Sequence, residues 1–298
     1  MTPDALAARA ADAYGGLALR IRRGMGTRIG DHRVPGRPQA AGLEIESYRP
    51  YAPGDDLRHL EWSAMARLDV LLTRRFTAER EVPVHLLVDA SASMGVPARD
   101  AKLAVACELA MALACMALAT NDPVRVARLG DDAGRTPAFR RPASALRVAA
   151  LLCDLAAAGP VDLGAALAAY ADRHREPGAV FVVSDFMIEP DALERGVQAL
   201  RARRSEVVLL HVIGRGELDP GRDFTHGVLA DVESGATHPI VLTAAVRRGY
   251  DARLAAHLAA LDAVAVRNRA WYARLASDEP VGDFIGGPLA RLGLVRRR

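Results

Sequence analysis

The sequence predicts an α/β protein with an open, mostly parallel β-sheet and helices on both faces of that sheet. Three apolar stretches carry the prediction: Val84–Val88, Gly178–Val183 and Glu206–Ile213. Continuous apolar stretches of this length are typical of parallel strands that are buried on both faces. Stretches with a helical pattern separate them along the chain, and a parallel sheet requires such crossovers.

The composition is that of an ordinary globular protein. Of the 298 residues, 51% are hydrophobic and 25% are charged, and the formal net charge is +3. A charge this small, with only 5% aromatic residues, argues against nucleic-acid binding. The three cysteines, Cys107, Cys115 and Cys153, lie in apolar stretches without CxxC spacing. We therefore expect buried thiols and a reducing compartment.

The sequence also predicts a cytoplasmic protein that does not insert into a membrane. Its N-terminus is polar and charged where a signal peptide would need an apolar segment. The longest apolar stretch, Leu109–Ala119, is shorter than a bilayer-spanning helix.

Three regions are expected along the chain. Residues 1–80 combine an alanine-rich helix, about Pro3–Arg23, with a β-rich segment of glycine, proline and arginine over Gly24–Pro53. Residues 81–225 form the α/β domain, and residues 226–298 add a hairpin, a helix and a strand.

Periodicity and turn residues place the remaining elements. The predicted helices are Arg99–Thr120, Ala143–Ala157, Ala165–Arg173, Pro190–Arg203, Tyr250–Ala263 and Asp283–Leu292. The predicted further strands are Val70–Phe76, Val124–Leu129, Gly227–Glu233, Pro239–Thr243 and Ala270–Leu275. Val295–Arg298 is expected to be a frayed basic terminus.

One short segment before the first sheet strand is unusually rich in Tyr, Arg, Asp and Trp. Its notable residues are Arg49, Tyr51, Gly54, Asp55, Asp56, Arg58, Trp62 and Arg67. Pro-Gly-Asp-Asp is a turn by composition, and the apolar Leu60 and Trp62 can anchor it. Two interpretations stand side by side: a structural latch between subdomains, or a surface that binds a partner.

Polar side chains follow two of the predicted buried strands. Asp89, Ser91 and Ser93 come after the first strand, and Asp185 comes after Gly178–Val183. The carboxyl ends of parallel strands meet at one edge of a sheet, where ligands bind. Carboxylate and hydroxyl oxygens suit Mg²⁺, with Mn²⁺ or Ca²⁺ as alternatives. In a purely structural alternative, Asp89 caps the next helix and the serines satisfy backbone donors.

These residues resemble two known patterns. Asp89-x-Ser91-x-Ser93 resembles the metal-ion-dependent adhesion site of von Willebrand factor A domains. The upstream segment, Arg49-x-Tyr51-x-x-Gly54-Asp55-Asp56-x-Arg58 with Trp62 and Ala66-Arg67, is similar to the bacterial domain of unknown function 58 (DUF58) family. The resemblance covers most of the chain, including Asp231-x-Glu233.

The resemblance implies a von Willebrand factor A-like, Rossmann-like fold for residues 81–225. It also implies a protein-binding module that acts with a MoxR-type AAA+ ATPase in the assembly or maturation of other proteins. No established catalytic activity comes with it.

The chain departs from the adhesion-site pattern at one position. A threonine from a separate loop is a further metal ligand in that pattern, and Val161 occupies the position here. Valine cannot coordinate a metal. Asp162 is the nearest residue that can substitute, and an added carboxylate would neutralise more of the charge of the ion.

Two function classes follow from the sequence. The first is a metal-dependent protein-binding adaptor, and the second is a metal-dependent hydrolase that uses Asp89 and Asp185. His85 and His211 lie in apolar strands and are expected in the core, so the hydrolase lacks a placed general base. Nucleotide-binding glycine motifs are absent from the sequence. We therefore expect a protein that is not an enzyme.

Overall fold

The structure, a computed structural model, describes residues 2–20, 43–78, 81–130, 136–220, 225–230 and 236–298. The chain divides into a larger unit, Met1–Arg22 with Val82–Arg298, and a smaller unit, Arg23–Glu81. The N-terminal helix that we grouped with residues 1–80 therefore belongs to the larger unit. The expectations for residues 24–42 and for Asp231-x-Glu233 lie outside the described residues.

Secondary structure follows the sequence periodicity over most of the described chain. The strands are β1 (Leu17–Leu19), β2 (Leu43–Pro50), β3 (Leu72–Ala78), β4 (Val84–Val88), β5 (Val124–Arg128), β6 (Ala179–Ser184), β7 (Glu206–Ile213), β8 (His226–Ala230), β9 (Thr237–Val241), β10 (Trp271–Ala276) and β11 (Val295–Arg297). The helices are α1 (Pro3–Tyr14), α2 (Trp62–Leu68), α3 (Lys102–Ala119), α4 (Ala145–Cys153), α5 (Leu163–Arg173), α6 (Pro190–Ala202), α7 (Arg215–Leu218), α8 (Ala244–Arg267) and α9 (Val281–Phe284).

A five-stranded sheet forms the centre of the larger unit. Its order is β10-β7-β6-β4-β5, and every neighbouring pair is parallel. Each residue of β4 and β6 is buried, which accounts for the continuous apolar stretches in the sequence. The predicted α/β class with a parallel sheet is confirmed.

Helices cover both faces of this sheet. Leu86 of β4 packs into a core that includes α1, α3 and α4, whereas the adjacent Leu87 packs into a core with α5, α6 and α8. Successive side chains of a strand point to opposite faces, so each buried strand contributes to both cores. The predicted two-sided helical cover is confirmed as well.

The strand order creates a crevice at the carboxyl edge of the sheet. From β4 the chain crosses to β5 on one side, and it later returns to β6 on the other side. The connections after β4 and β6 therefore diverge, and open α/β sheets bind ligands at such a topological switch point. Asp89 follows β4 here, and Asp185 follows β6.

The apolar helix α3 lies against the sheet and is almost entirely buried from Ala106 to Leu118. By length and composition the segment Ala98–Ala119 could cross a membrane, so the expectation that the apolar stretch is too short is wrong. Its burial explains the apolar sequence. Burial also raises the pKa of Cys107 to about 12 and that of Cys115 to about 11, as expected for inert core thiols.

Both chain ends differ from the prediction. The first helix ends at Tyr14 because Gly15 and Gly16 follow, and it does not extend to Arg23. The chain then forms β1, which pairs antiparallel with β11. The C-terminus is thus a paired strand and not a frayed tail, and the buried Leu294 anchors it.

Two helices near the C-terminus also differ from their predicted bounds. Helix α8 begins earlier than predicted because the Thr243 hydroxyl accepts a hydrogen bond from the Val246 N–H at 3.2 Å, which caps the helix. The predicted helix Asp283–Leu292 is instead α9 followed by a π-helical turn, Ile285–Leu289.

Candidate metal-binding site

A pocket of about 240 Å³ lies at the switch point of the sheet. Its polar lining comprises every residue that the sequence nominated for a metal: Asp89, Ser91, Ser93, Asp162 and Asp185. The structure therefore brings together side chains that are up to 96 positions apart in sequence. The sequence predicted only that Asp89 and Asp185 follow the ends of strands. The parallel sheet then brings those strand ends together in one pocket.

Asp89 is buried at the base of this pocket. Its Oδ1 accepts a hydrogen bond from the Ser91 N–H at 2.8 Å, and its Oδ2 accepts one from the Ser184 hydroxyl at 2.6 Å. Burial is the main cause that raises the pKa of the Asp89 carboxyl, and the charge of Asp185 adds to it. Among the described residues, no lysine or arginine forms an ion pair with Asp89.

Ser184 is a site residue that the sequence did not single out. Its hydroxyl donates to Asp89 and accepts from the Phe186 N–H at 2.9 Å. The orientation of the Asp89 carboxylate is thus fixed from the neighbouring strand. The only signal was its position, next to Asp185 at the end of an apolar stretch.

The two serines of the loop face each other. The Oγ atoms of Ser91 and Ser93 are 2.9 Å apart, so their spacing by two residues does place both hydroxyls on one side of the loop. Two adjacent oxygen ligands of an octahedral Mg²⁺ site, each about 2.1 Å from the ion, lie about 3.0 Å from each other. The serine pair matches that separation.

Asp185 has a cationic partner that the sequence did not predict. The Nζ of Lys102, at the start of α3, donates to Asp185 Oδ2 at 2.8 Å and also to Glu217 Oε1. The Lys102 side chain is 1% exposed and that of Asp185 is 2% exposed. Burial lowers the pKa of Lys102, but the charges of Asp185 and Glu217 outweigh it and raise the pKa overall.

The loop that carries Val161 lines the same pocket. Val161 exposes only methyl groups there, as its sequence position predicts. The next residue, Asp162, is the N-cap of α5, and its Oδ1 accepts a hydrogen bond from the Ala165 N–H at 2.9 Å. Asp162 therefore caps the helix through Oδ1, and its Oδ2 accepts no hydrogen bond from the residues that the structure describes.

The donor set fits a hard divalent cation. Carboxylate and hydroxyl oxygens line the pocket, which suits Mg²⁺, Mn²⁺ or Ca²⁺ better than a metal that prefers nitrogen or sulfur. Each Asp89 oxygen carries one hydrogen bond and keeps lone pairs for another contact. Within the described ranges, no three or more His, Cys, Asp and Glu side chains converge on a point where they could hold a metal. A cation in this pocket would therefore have few negatively charged ligands.

Residues 47–260 match the family described as "Protein of unknown function DUF58". The chain belongs to this family. The match spans the dense turn segment, the central sheet and most of α8, so it confirms the resemblance that the sequence motifs indicated.

Relatives of this DUF58 chain include uncharacterized proteins Mb1516 of Mycobacterium bovis and Rv1480 of Mycobacterium tuberculosis. Each is 29% identical over 252 residues, which covers 78% of this chain and 74% of the relative. The names of these relatives assign no activity.

Two solved structures are distantly similar. The first, described as the conserved hypothetical protein BatB from Bacteroides thetaiotaomicron, is 14% identical with a TM-score of 0.40, over 71% of this chain and 98% of that chain. The second, described as an aerotolerance-related membrane protein from Bacteroides fragilis, is 16% identical with a TM-score of 0.43, over 72% of this chain and 96% of that chain. The von Willebrand factor A assignment therefore stays a prediction.

Two histidines of this DUF58 chain, His85 and His211, lie in strands of the central sheet and are part of its core. His85 Nδ1 is 2.7 Å from the Tyr170 hydroxyl, and His211 Nδ1 is 2.7 Å from the Tyr272 hydroxyl. Burial lowers the pKa of each imidazole to about 3. No histidine lines the described pocket.

The dense turn segment lies in the smaller unit and runs from the end of β2 into α2. Arg49 donates to Asp55 at 2.6 Å, and Asp55 also accepts from the Ala52 N–H, so this pair closes the predicted turn. Gly54 has φ +103°, a conformation that favours glycine. Tyr51 is half-buried, and its N–H donates to the Leu71 carbonyl.

Other residues of the turn segment face solvent. Leu60 is buried as predicted, but Trp62 is 63% exposed, so it is not an apolar anchor of the smaller unit. Arg67 is exposed and lines a pocket of about 280 Å³ with Tyr48 and Leu68. The structure therefore separates a turn held by Arg49 and Asp55 from an exposed surface.

Arg58 and Arg49 should respond differently to truncation. Arg58 pairs with Asp56, two residues away, and both side chains are exposed. We expect Arg58→Ala to change Tm by less than about 2 °C. Arg49→Ala should lower Tm more, because it removes the cation that holds the partly buried Asp55. Differential scanning fluorimetry of both variants tests this, and an equal loss would contradict it.

Proposed function

We propose that this chain is a cation-dependent protein-binding module of the von Willebrand factor A type. Asp89, Ser91 and Ser93 would hold a divalent cation, with Mg²⁺ the first candidate. When bound, Mg²⁺ supplies an open coordination position that accepts a carboxylate from another protein. The residues of this chain bind the cation, orient its ligands and leave the pocket open toward the partner.

One observation carries the proposal. The Asp89 carboxylate is buried at a topological switch point without a cationic partner among the described residues, beside two hydroxyls that are 2.9 Å apart. A buried carboxylate is expensive to leave uncompensated, and a bound cation would compensate it. A purely structural role for Asp89 explains the hydrogen bond from Ser91 but not the open pocket beside it.

The partner class follows from the charge of the site. With one carboxylate and two neutral hydroxyls as direct ligands, a divalent cation keeps net positive charge and favours an acidic group. The family resemblance nominates a MoxR-type AAA+ ATPase as the protein that provides this group. The exposed surface with Trp62 and Arg67 is a second proposed contact with the same partner.

The proposal places the module in the cytoplasm, without direct insertion into a membrane and without a nucleic-acid partner. The segment Ala98–Ala119 is long and apolar enough to cross a membrane. Its burial in the core is what supports the proposal that it does not insert. The hydrolase alternative has no histidine in the described pocket lining to serve as a general base. If the purified chain hydrolyses esters or phosphoesters and Asp89→Ala abolishes that turnover, the chain is a hydrolase and the adaptor function is contradicted.

Capture of an immobilised MoxR-type ATPase tests the proposed function. We expect the purified chain to bind in Mg²⁺ and to lose at least about tenfold in affinity with a chelator, because the partner carboxylate loses its ligand. Ser91→Ala/Ser93→Ala should show the same loss in Mg²⁺. Ser144→Ala is the matched control, since Ser144 lies outside the pocket and its side chain makes no capping bond at the start of α4. Binding that persists unchanged in the chelator would exclude the metal contact.

A further inference from the structure

A buried ion pair stands directly behind the proposed cation site. Lys102 Nζ is 2.8 Å from Asp185 Oδ2, and neither side chain is more than 2% exposed. We propose that Lys102 is a built-in counter-ion that withholds Asp185 from direct coordination. Asp185 then acts only as an outer ligand, through water. The inference rests on the proposed function, because it concerns the same site.

The position of Lys102 is fixed from three elements. Its backbone starts α3, its ammonium donates to Asp185 after β6, and it also donates to Glu217 in α7 after β7. Glu217 is itself held, since its Oε2 accepts from the Gly214 N–H at 2.7 Å. The ammonium is therefore held between two carboxylates that lie on different elements.

The backbone on both sides of the pair is also constrained. Ala101, which precedes Lys102, has φ 47°, and Phe186, which follows Asp185, has φ 46°. Residues other than glycine rarely adopt this region and cost about 1–3 kcal/mol when they do. The surrounding packing thus holds both partners in the geometry that joins them.

The role of Lys102 is to decide what the cation can bind next. If Asp185 were free, two carboxylates would coordinate the ion directly and neutralise it, which would weaken its attraction for an acidic partner. With Asp185 paired to Lys102, Asp89 is the buried carboxylate of the pocket that has no cationic partner among the described residues. Lys102 is therefore a positioning residue that favours partner binding over tight metal binding.

Titration of the chain with Mn²⁺ alone, followed by electron paramagnetic resonance of the free ion, tests this role. The decisive variant is Lys102→Met/Glu217→Gln, which removes one positive and one negative charge and so preserves the net charge of the group. We expect this variant to bind Mn²⁺ at least about tenfold more tightly than wild type, because Asp185 becomes available as a direct ligand. Adding Asp185→Asn should abolish the gain.

A second comparison does not depend on the fold of the double variant. In the wild-type background, Asp185→Asn should weaken Mn²⁺ binding by no more than about threefold, whereas Asp89→Asn should weaken it by at least about a hundredfold. Equal losses would make Asp185 a direct ligand and overturn the proposal. Unchanged or weaker binding by a folded Lys102→Met/Glu217→Gln would also overturn it.

The outcomes separate this inference from the proposed function. If wild type does not bind Mn²⁺ but the double variant does, Lys102 withholds Asp185 from the metal as inferred, and the adaptor function fails. If wild type binds Mn²⁺ and the double variant binds no better, the adaptor function stands and the inference fails. If neither binds, both fail.

Discussion

Replacing Lys102 with methionine is expected to lower the free energy of unfolding by about 3–5 kcal/mol. The side chain is 1% exposed, and its removal leaves the Asp185 and Glu217 carboxylates buried without a cation. A loss of this size corresponds to a fall in Tm of roughly 10 °C for a domain of this length. Thermal unfolding followed by circular dichroism measures it.

Arg247→Met is the matched control for that experiment. Arg247 pairs with Asp219 at 2.8 Å, but both side chains are substantially exposed, so we expect a change in Tm of less than about 2 °C. A comparably small change in Lys102→Met would contradict the buried ion pair. Adding Glu217→Gln and Asp185→Asn to Lys102→Met should restore most of the stability, because no unpaired charge then remains.

Replacing Asp89 with asparagine should eliminate stabilisation by Mg²⁺ without destabilising the metal-free chain. Asparagine keeps an oxygen that can accept from the Ser91 N–H, and its NH2 group can donate to the Ser184 hydroxyl oxygen, but it carries no charge for a cation. Wild type should gain about 2.7 kcal/mol at a Mg²⁺ concentration of about one hundred times Kd, and Asp89→Asn should gain nothing. In chelator the variant should be at least as stable as wild type, because it removes an uncompensated buried charge.

Asp162→Ala separates a metal ligand from a helix cap in the same assay. Asp162 caps α5 through the Ala165 N–H, so its loss should lower stability by about 1 kcal/mol equally in Mg²⁺ and in chelator. Loss of the response to Mg²⁺ in this variant would make Asp162 a ligand, as the sequence allowed. An undiminished response in Asp89→Asn would contradict the proposed site.

Much of the fold follows from sequence because burial on both faces leaves a strong signal. The bounds of β7 agree with the prediction at both ends, since apolar residues fill the whole strand. The positions of Asp89 and Asp185 follow from the same logic, because parallel strands bring their carboxyl ends together. The pairing of β1 with β11 could not be predicted, because short strands far apart in sequence carry little periodicity.

The polar network behind the site was only half visible in the sequence. Lys102 and Glu108 are the two charged residues of an otherwise apolar helix, and a charged residue that such a helix buries must find a partner, so Lys102 itself carried a signal. Its partners did not, because Asp185 and Glu217 are 83 and 115 residues away and only the folded sheet brings them to it. Trp62 failed as an anchor for a similar reason, since composition does not reveal which side of a helix is covered.

A crystal structure grown in Mn²⁺, with anomalous scattering recorded at the manganese edge, tests the central claim most directly. We expect one peak per chain in the pocket, within about 2.0–2.2 Å of Asp89, Ser91 and Ser93 oxygens. Asp185 should lie outside the first coordination shell and keep its contact with Lys102. Direct coordination by Asp185 would contradict the role of Lys102, and no peak in the pocket at saturating Mn²⁺ would contradict the account as a whole.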